Sequence, residues 1–291
     1  MKTLSVIFIL TFVTIIIAPL HSQNPVAGKK STASRIIDAI IKNTGSNLVP
    51  GTVDVIKEGD PETPVTGIVT TMFATMEVLK KAVAENCNLI IVHEPLYYNH
   101  TDATKQFEND EVFLEKRRFI INHKLVIWRF NDYIHRMKPD GIISGMVTKL
   151  GWKDYEVNGR PDQYFLPETT LGELLKKLKK IFPNNAFYVV GKPEMRLSKV
   201  RFAPGAPGSA TQIRLLEDSN VDLLLAGESP QWETYEYMRD AVSQGKNKAI
   251  IFLGHIASEE AGMDFCASWL RGFIKDIPVS FIESGPSYWS F

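Results

Sequence analysis

The chain has 291 residues, 44% of them hydrophobic, and its 33 basic and 33 acidic side chains cancel. It has no basic stripe, which argues against nucleic acid as a partner, and two cysteines, Cys87 and Cys266, are too few for a disulfide framework in a chain of this size. Each cysteine sits in an apolar helical pattern, which favours buried free thiols over a disulfide.

Met1-Lys2, the apolar residues 4–20 and the polar His21-Ser22-Gln23-Asn24 have the layout of a secretory signal peptide. The expectation is a signal over residues 1–22, export to the periplasm or the exterior, and no membrane span after cleavage. An uncleaved anchor is the alternative, because the run is nearly long enough to cross a bilayer. Residues 23–31 read as a linker. Residues 34–42 read as a helix with Ile36, Ile37, Ile40 and Ile41 on one stripe and Gly45 as its stop. A strand (67–72), a helix (76–85), a strand (88–92), a helix (111–122), a strand (125–130) and a helix (141–150) follow. Gly159, Pro161 and Pro167 make residues 153–170 the candidate boundary between a first half, 23–152, and a second, 153–291. The second half reads as a helix (171–182), strands near 186–190 and 199–203, and a strand (221–226). A helix (232–243), a strand (248–253), a helix (258–273) and a strand (278–282) complete it. Short apolar runs alternating with amphipathic helices predict an α/β fold with largely parallel sheets.

Twice the order strand, helix, strand ends on a histidine: His93 after residues 88–92 and His255 after residues 248–253. The carboxyl ends of strands are where α/β sheets place ligand chemistry. His255 and Glu259 are four apart, and with Ser258 capping a helix the bend would aim both into one cleft; an ordinary strand-to-helix turn has the same spelling. His93 and Glu94 would face opposite ways within a strand, so both reach one ion only if the chain leaves the strand there, as Pro95 suggests. A third cluster, Asn131-Asp132-Tyr133-Ile134-His135, follows residues 125–130. Imidazole and carboxylate suit zinc, iron, manganese or nickel. His100 is a further ligand candidate or a neighbour of the site, and His123 reads as a capping residue.

Gly254-His255-Ile256-Ala257-Ser258-Glu259 resembles the Gly-His-x-x-Ser-Glu signature of the Nif-three family (NGG-one-interacting-factor-three-like proteins), some of whose members are called type 2 GTP cyclohydrolase I. Residues 88–96 are similar to that family's first motif, an apolar strand followed by His-His-Pro. Residues 203–209 resemble its small-residue loop, and 225–228 its strand-Gly-acidic segment. The resemblance runs from residue 32 or so to the C-terminus. It implies two α/β lobes, with mostly parallel or mixed sheets and a two-metal site between them at strand carboxyl ends, commonly in a ring-shaped hexamer. The implied ligands are His93, Glu94, His135, His255 and Glu259. Glu94 stands where the family has a second histidine and His135 where it has an aspartate, so the set remains three histidines and two carboxylates. Asp132 is the substitute ligand if His135 is not the aligned position.

The expected function is a metal-dependent hydrolase in which two divalent ions activate water against a small molecule: a cyclic amide, a nucleotide-like compound or a phosphoester. Glu228 could serve as general base or orient the water, or simply be an acid at a helix start. Trp232, Tyr97, Tyr98 and Trp289 could line a pocket or only pack. The alternative is a metal-binding or scaffold protein without turnover. In either case the resemblance implies a homo-oligomer.

Overall fold

The computed structural model describes residues 31–289; the expected signal peptide and nearly all of the linker lie outside the described residues. The first half contains α1 (Ala33–Asn43), β1 (Ile56–Glu58), β2 (Ile68–Thr71), α2 (Met76–Ala84), β3 (Leu89–Val92), α3 (Glu111–Asn122), β4 (Val126–Arg129), α4 (Asp132–Arg136) and α5 (Gly141–Leu150). The chain continues through β5 (Glu156–Val157), β6 (Arg160–Thr170), α6 (Leu171–Ile181), β7 (Tyr188–Val190), β8 (Arg196–Ala203), α7 (Ser209–Glu217) and β9 (Leu223–Ala226). A π-helical turn (Gln231–Tyr235), α8 (Glu236–Ser243), β10 (Ala249–Phe252), α9 (His255–Leu270) and β11 (Val279–Phe281) complete it.

β2, β3, β4, β9 and β10 are buried at every position. This is the signature of strands covered on both faces, and it explains why they are apolar at every position except Thr70, Thr71 and Arg129. They form the centres of two sheets. The first has the order β1-β4-β3-β2-β11 and is parallel except for β1. The second has the order β5-β6-β8-β9-β10-β7 and is parallel only across β8-β9-β10. The expected α/β fold is therefore present, with one mostly parallel and one mixed sheet. β11, from the end of the chain, lies in the first sheet beside β2.

α5 and α9 form the layer between the sheets. Ile142, Met263, Cys266, Ala267 and Leu270 pack into the core of the first sheet. Met146, Val147 and Leu150, with Ala257 and Ala261, pack against that of the second. The two helices cross at backbone contact: a Cβ on Gly145 would lie 2.2 Å from the Ala261 carbonyl oxygen, and one on Gly262 would lie 2.5 Å from Ile142 Cα. α5 is closed at one end by the Asp140 carboxylate, which accepts from the Ile142 and Ile143 N–H groups, and at the other by left-handed Gly151.

Several readings need correction. Residues 160–170, inside the candidate boundary and given no strand there, form the long strand β6, whose pairing with β8 is interrupted between Phe165 and Thr169, where Pro167 falls. The helix expected over 232–243 splits into the π-helical turn and α8. α9 starts at His255 rather than after Ser258, because Gly254 adopts φ +89° and turns the chain directly into the helix. Cys87 and Cys266 are free and buried, as expected.

Candidate metal centre

The ligand candidates stand at the carboxyl ends of β3, β4 and β10. The ladder between β2 and β3 continues two residues beyond Val92: the His93 N–H donates to the Thr71 carbonyl and the Glu94 N–H to that of Met72. The chain then leaves the sheet at Pro95. Beyond β4, α4 is held by the buried Asp54 carboxylate, which accepts from the N–H groups of Asn131, Asp132 and Tyr133 at 2.8, 3.0 and 2.9 Å. Burial pushes the Asp54 carboxyl up, against the pull of those donors. α4 carries His135 in its last turn, and α9 opens on His255 and carries Glu259 one turn later on the same face.

All three imidazoles are tied through Nδ1. His93 Nδ1 is 3.1 Å from the Phe130 carbonyl oxygen, which can only accept, so that nitrogen carries the hydrogen. His135 Nδ1 is 2.9 Å from Asp140 Oδ2, and His255 Nδ1 is 3.0 Å from Glu228 Oε1. Their Nε2 atoms turn toward Glu259. His93 Nε2 and His255 Nε2 are 3.6 and 3.1 Å from Glu259 Oε2, and His135 Nε2 is 3.9 Å from Oε1. Glu94 Oε1 lies 3.4 Å from His255 Nε2. Two groups that could hold a metal ion result: His93, His135 and Glu259, and Glu94, His255 and Glu259. Glu259 is common to both; it is buried, and its Oε2 has no hydrogen-bond partner among the described residues.

The electrostatics follow from the crowding of carboxylates. Burial opposes charge on His255, but contacts with Glu228, Glu259 and Glu94 push its imidazole up to about 12. Burial also opposes charge on His135; Asp140 prevails and raises it. On His93 burial wins and the pKa falls. Burial would raise Glu94, but His255, His93 and Arg129 hold it below the usual carboxylate range. The hydrogen bond from His255 lowers Glu228.

Several supporting residues were not expected. The Arg129 side chain is fully buried at the end of β4 and donates to Glu94 Oε2 (3.3 Å), the His93 carbonyl (3.2 Å) and the His100 carbonyl (2.6 Å). It fixes one oxygen of Glu94 and leaves the other facing His255. An arginine closing an apolar strand run was the available signal. Asn131 Nδ2 donates to Glu94 Oε1 at 3.2 Å. Gly205, in the small-residue loop, has φ +62°, and a Cβ there would lie 2.4 Å from Glu259 Oε1. Ser258 is no helix cap: its hydroxyl donates to the His255 carbonyl and accepts from the Gly205 N–H.

Other candidates lie elsewhere. Asp132 belongs to neither group; its carboxylate accepts from Thr52 Oγ1 and the Val53 N–H. His100 is exposed on the wall of a cavity of about 570 Å³ that also meets Glu94, Tyr98 and Lys116. Tyr97 is core, with its hydroxyl on Glu58, Trp232 is 77% exposed, and His123 ends α3. On the other side of His255 a cavity of about 510 Å³ is walled by Phe73, Tyr188, Tyr235, Phe252 and Tyr288, with Glu228 beside them. None of these five aromatics had been singled out.

The chain resembles known proteins over most of its length. A "GTP cyclohydrolase 1 type 2 homolog" of Clostridium acetobutylicum is 22% identical over 233 residues, 76% of this chain and 82% of that protein. One from Buchnera aphidicola is 23% identical over 83% of this chain and 92% of its own. The crystal structure of a Bacillus cereus protein related to NIF3 superposes with a TM-score of 0.72 at 15% identity, covering 90% of this chain and all of its own. Reduced HcgD from Methanocaldococcus jannaschii gives 0.60 at 14% identity, covering 86% and 97%. The structural likenesses speak to the fold. The model of the Duf34/NIF3 (NGG1p interacting factor 3) family matches residues 53–286, most of the chain, and the protein therefore belongs to the Duf34/NIF3 family.

Proposed function

We propose that the chain is a metal-dependent hydrolase holding two divalent ions, one at His93, His135 and Glu259 and one at Glu94, His255 and Glu259. The observation that carries this reading is the convergence of three Nδ1-anchored imidazoles, Nε2 first, on one carboxylate whose buried Oε2 lacks a partner. Metal-bound histidines characteristically donate their other ring N–H to a carboxylate or carbonyl in this way. The donor set fits a cation on charge as well: Glu94, Glu228 and Glu259 all lie within 3.4 Å of His255. Three protein ligands per ion leave positions for water and substrate, and mixed histidine and carboxylate ligands favour catalysis over a closed structural site. Bound divalent ions would bring a water's pKa near neutrality and polarise the bond to be cleaved.

The chain's own residues perform the remaining tasks. Asp140, Glu228 and the Phe130 carbonyl keep the imidazoles aimed and in one tautomer. Arg129 holds one oxygen of Glu94 and leaves the other facing His255, which with His93 and Arg129 itself lowers the pKa of that carboxyl. We assign Glu228 to positioning, since it sits on the Nδ1 side of His255, opposite Glu94 and Glu259. The names of the relatives support hydrolysis of a cyclic, nucleotide-like substrate. We also propose export, from the signal-like residues 1–22, and self-association, from the family resemblance. Metal analysis of the purified protein tests the central reading: about two ions per chain are expected, and His255→Ala should lose metal. Near-zero metal, unchanged by that substitution, would overturn it. Turnover of cyclic amides, nucleotides or phosphoesters with added divalent ions is expected; none with any ion would favour a scaffold.

A further inference from the structure

The cavity beside Glu228 has a chemistry of its own. Phe252, at the end of β10, pairs in register with Tyr188 on β7, so their side chains share a face. Tyr235 lies against Phe252 with rings 4.1 Å apart and 10° from parallel, which fixes its plane. Phe73 stands edge-on to His255 at 6.2 Å and connects this wall to the ligand groups. Asn184, Asn185, Ser229 and Gln231 add neutral donors and acceptors. The charged groups on the wall are Glu228 and His255; among the described residues lining it there is no lysine or arginine. Burial and the neighbouring Tyr188, Tyr288 and Glu228 push the Tyr235 hydroxyl up to about 12, so it is a neutral donor. Across His255 the second cavity offers one ammonium, Lys116, already donating to the Leu96 carbonyl at 2.7 Å.

We propose that this cavity binds a neutral planar ring with N–H and carbonyl edges, a heterocyclic base or cyclic amide, and is not built for a polyphosphate. The aromatic faces supply stacking, which tolerates any π-surface. The amides, hydroxyls and Glu228 supply edge contacts. Beyond His255, which is already held by three carboxylates, the wall offers the negative charges of a nucleoside triphosphate one carboxylate and no lysine or arginine. The ring's role as substrate rests on the hydrolase reading; its binding does not.

Guanosine is a suitable probe, because it is a neutral ring with both edge types and has GTP as its charged counterpart. Equilibrium dialysis would compare the two on the protein as purified and after chelation of metal. Guanosine is expected to bind, and GTP to bind no more tightly than guanosine once metal is removed. Tyr235→Leu should weaken guanosine about tenfold, and the half-exposed Tyr188→Leu should act in the same direction with an unchanged melting temperature and metal content. Guanosine failing to bind, GTP binding more than tenfold tighter on the stripped protein, or both leucine variants binding guanosine as the wild type does would each overturn the proposal. Metal content, measured on the same samples, separates this outcome from failure of the hydrolase reading.

Discussion

Gly205→Ala separates the site from the fold that carries it. The backbone at Gly205 has φ +62°, where an alanine costs about 1–2 kcal/mol. In a chain of this size that lowers the melting temperature by roughly 2–8 °C. The new methyl would also lie 2.4, 2.8 and 2.9 Å from Oε1, Cδ and Oε2 of Glu259. These atoms end a flexible side chain, so the carboxylate moves and the backbone stays. Because Glu259 belongs to both ligand groups, its displacement leaves each with two protein ligands. Gly151→Ala is the control: φ is +69°, and a Cβ there has nothing within 4 Å. Both variants should melt a few degrees early, while metal measured by mass spectrometry falls well below the wild-type content only in Gly205→Ala. Wild-type metal in Gly205→Ala, or equal loss in Gly151→Ala, would refute the reasoning.

Arg129→Met removes a fully buried guanidinium from the Glu94 carboxylate and from the His93 and His100 carbonyls, while Asp102 keeps Lys57 at 3.1 Å, and urea unfolding should show a loss of about 3–5 kcal/mol; a loss under 1 kcal/mol would be inconsistent with a paired, buried guanidinium. Asp140→Asn keeps an oxygen for the Ile142 and Ile143 N–H groups but removes the charge facing His135 Nδ1. Metal affinity, read by competition with a chromophoric chelator, should fall about 10- to 100-fold, and an unchanged affinity would remove Asp140 from the positioning set. Lys116 is pushed by burial from 10.5 down to about 8, partly opposed by Asp102. Between those values the unfolded chain holds a proton that the folded chain has released, so this group makes stability rise with pH across the window by about 3 kcal/mol. Lys116→Met should flatten that rise in unfolding curves taken from pH 7.5 to 10.5; profiles that stay parallel would refute the assignment.

What could be read from the sequence was decided by how local its causes are. The buried four-residue strands and the stripe of α1 announce themselves through apolar periodicity, and so do the histidines that follow β3 and β10. β6 was hidden by Pro161, which precedes the first residue paired with β8, and by Pro167, which falls where that pairing breaks. α7 was hidden because its buried face includes Ser209 and Gln212, the latter bonded to the Glu228 carbonyl and Thr234, so it shows no apolar stripe. Ser258 was misread because a serine before acidic residues spells a cap, while the true start is set by the conformation of Gly254. Asp54 caps a helix 77 residues further on, a relation no window along the chain contains. Asp140 was within reach: an aspartate before Gly141 is a helix-start signal five residues from His135.

The crossing of α5 and α9 has a consequence for what the ions would report. One ligand group draws His93 and His135 from before residue 153 and Glu259 from after it; the other draws Glu94 from before and His255 with Glu259 from after. A cut anywhere in residues 153–170 would thus leave two fragments, neither of them holding a complete group. The fragments would meet where α5 and α9 cross closely at Gly145 and Gly262, where α9 side chains enter the core of the first sheet, and where β11 pairs with β2. Separating the two fragments would strip both groups together, and metal retention would serve as a gauge of whether they are still seated on one another.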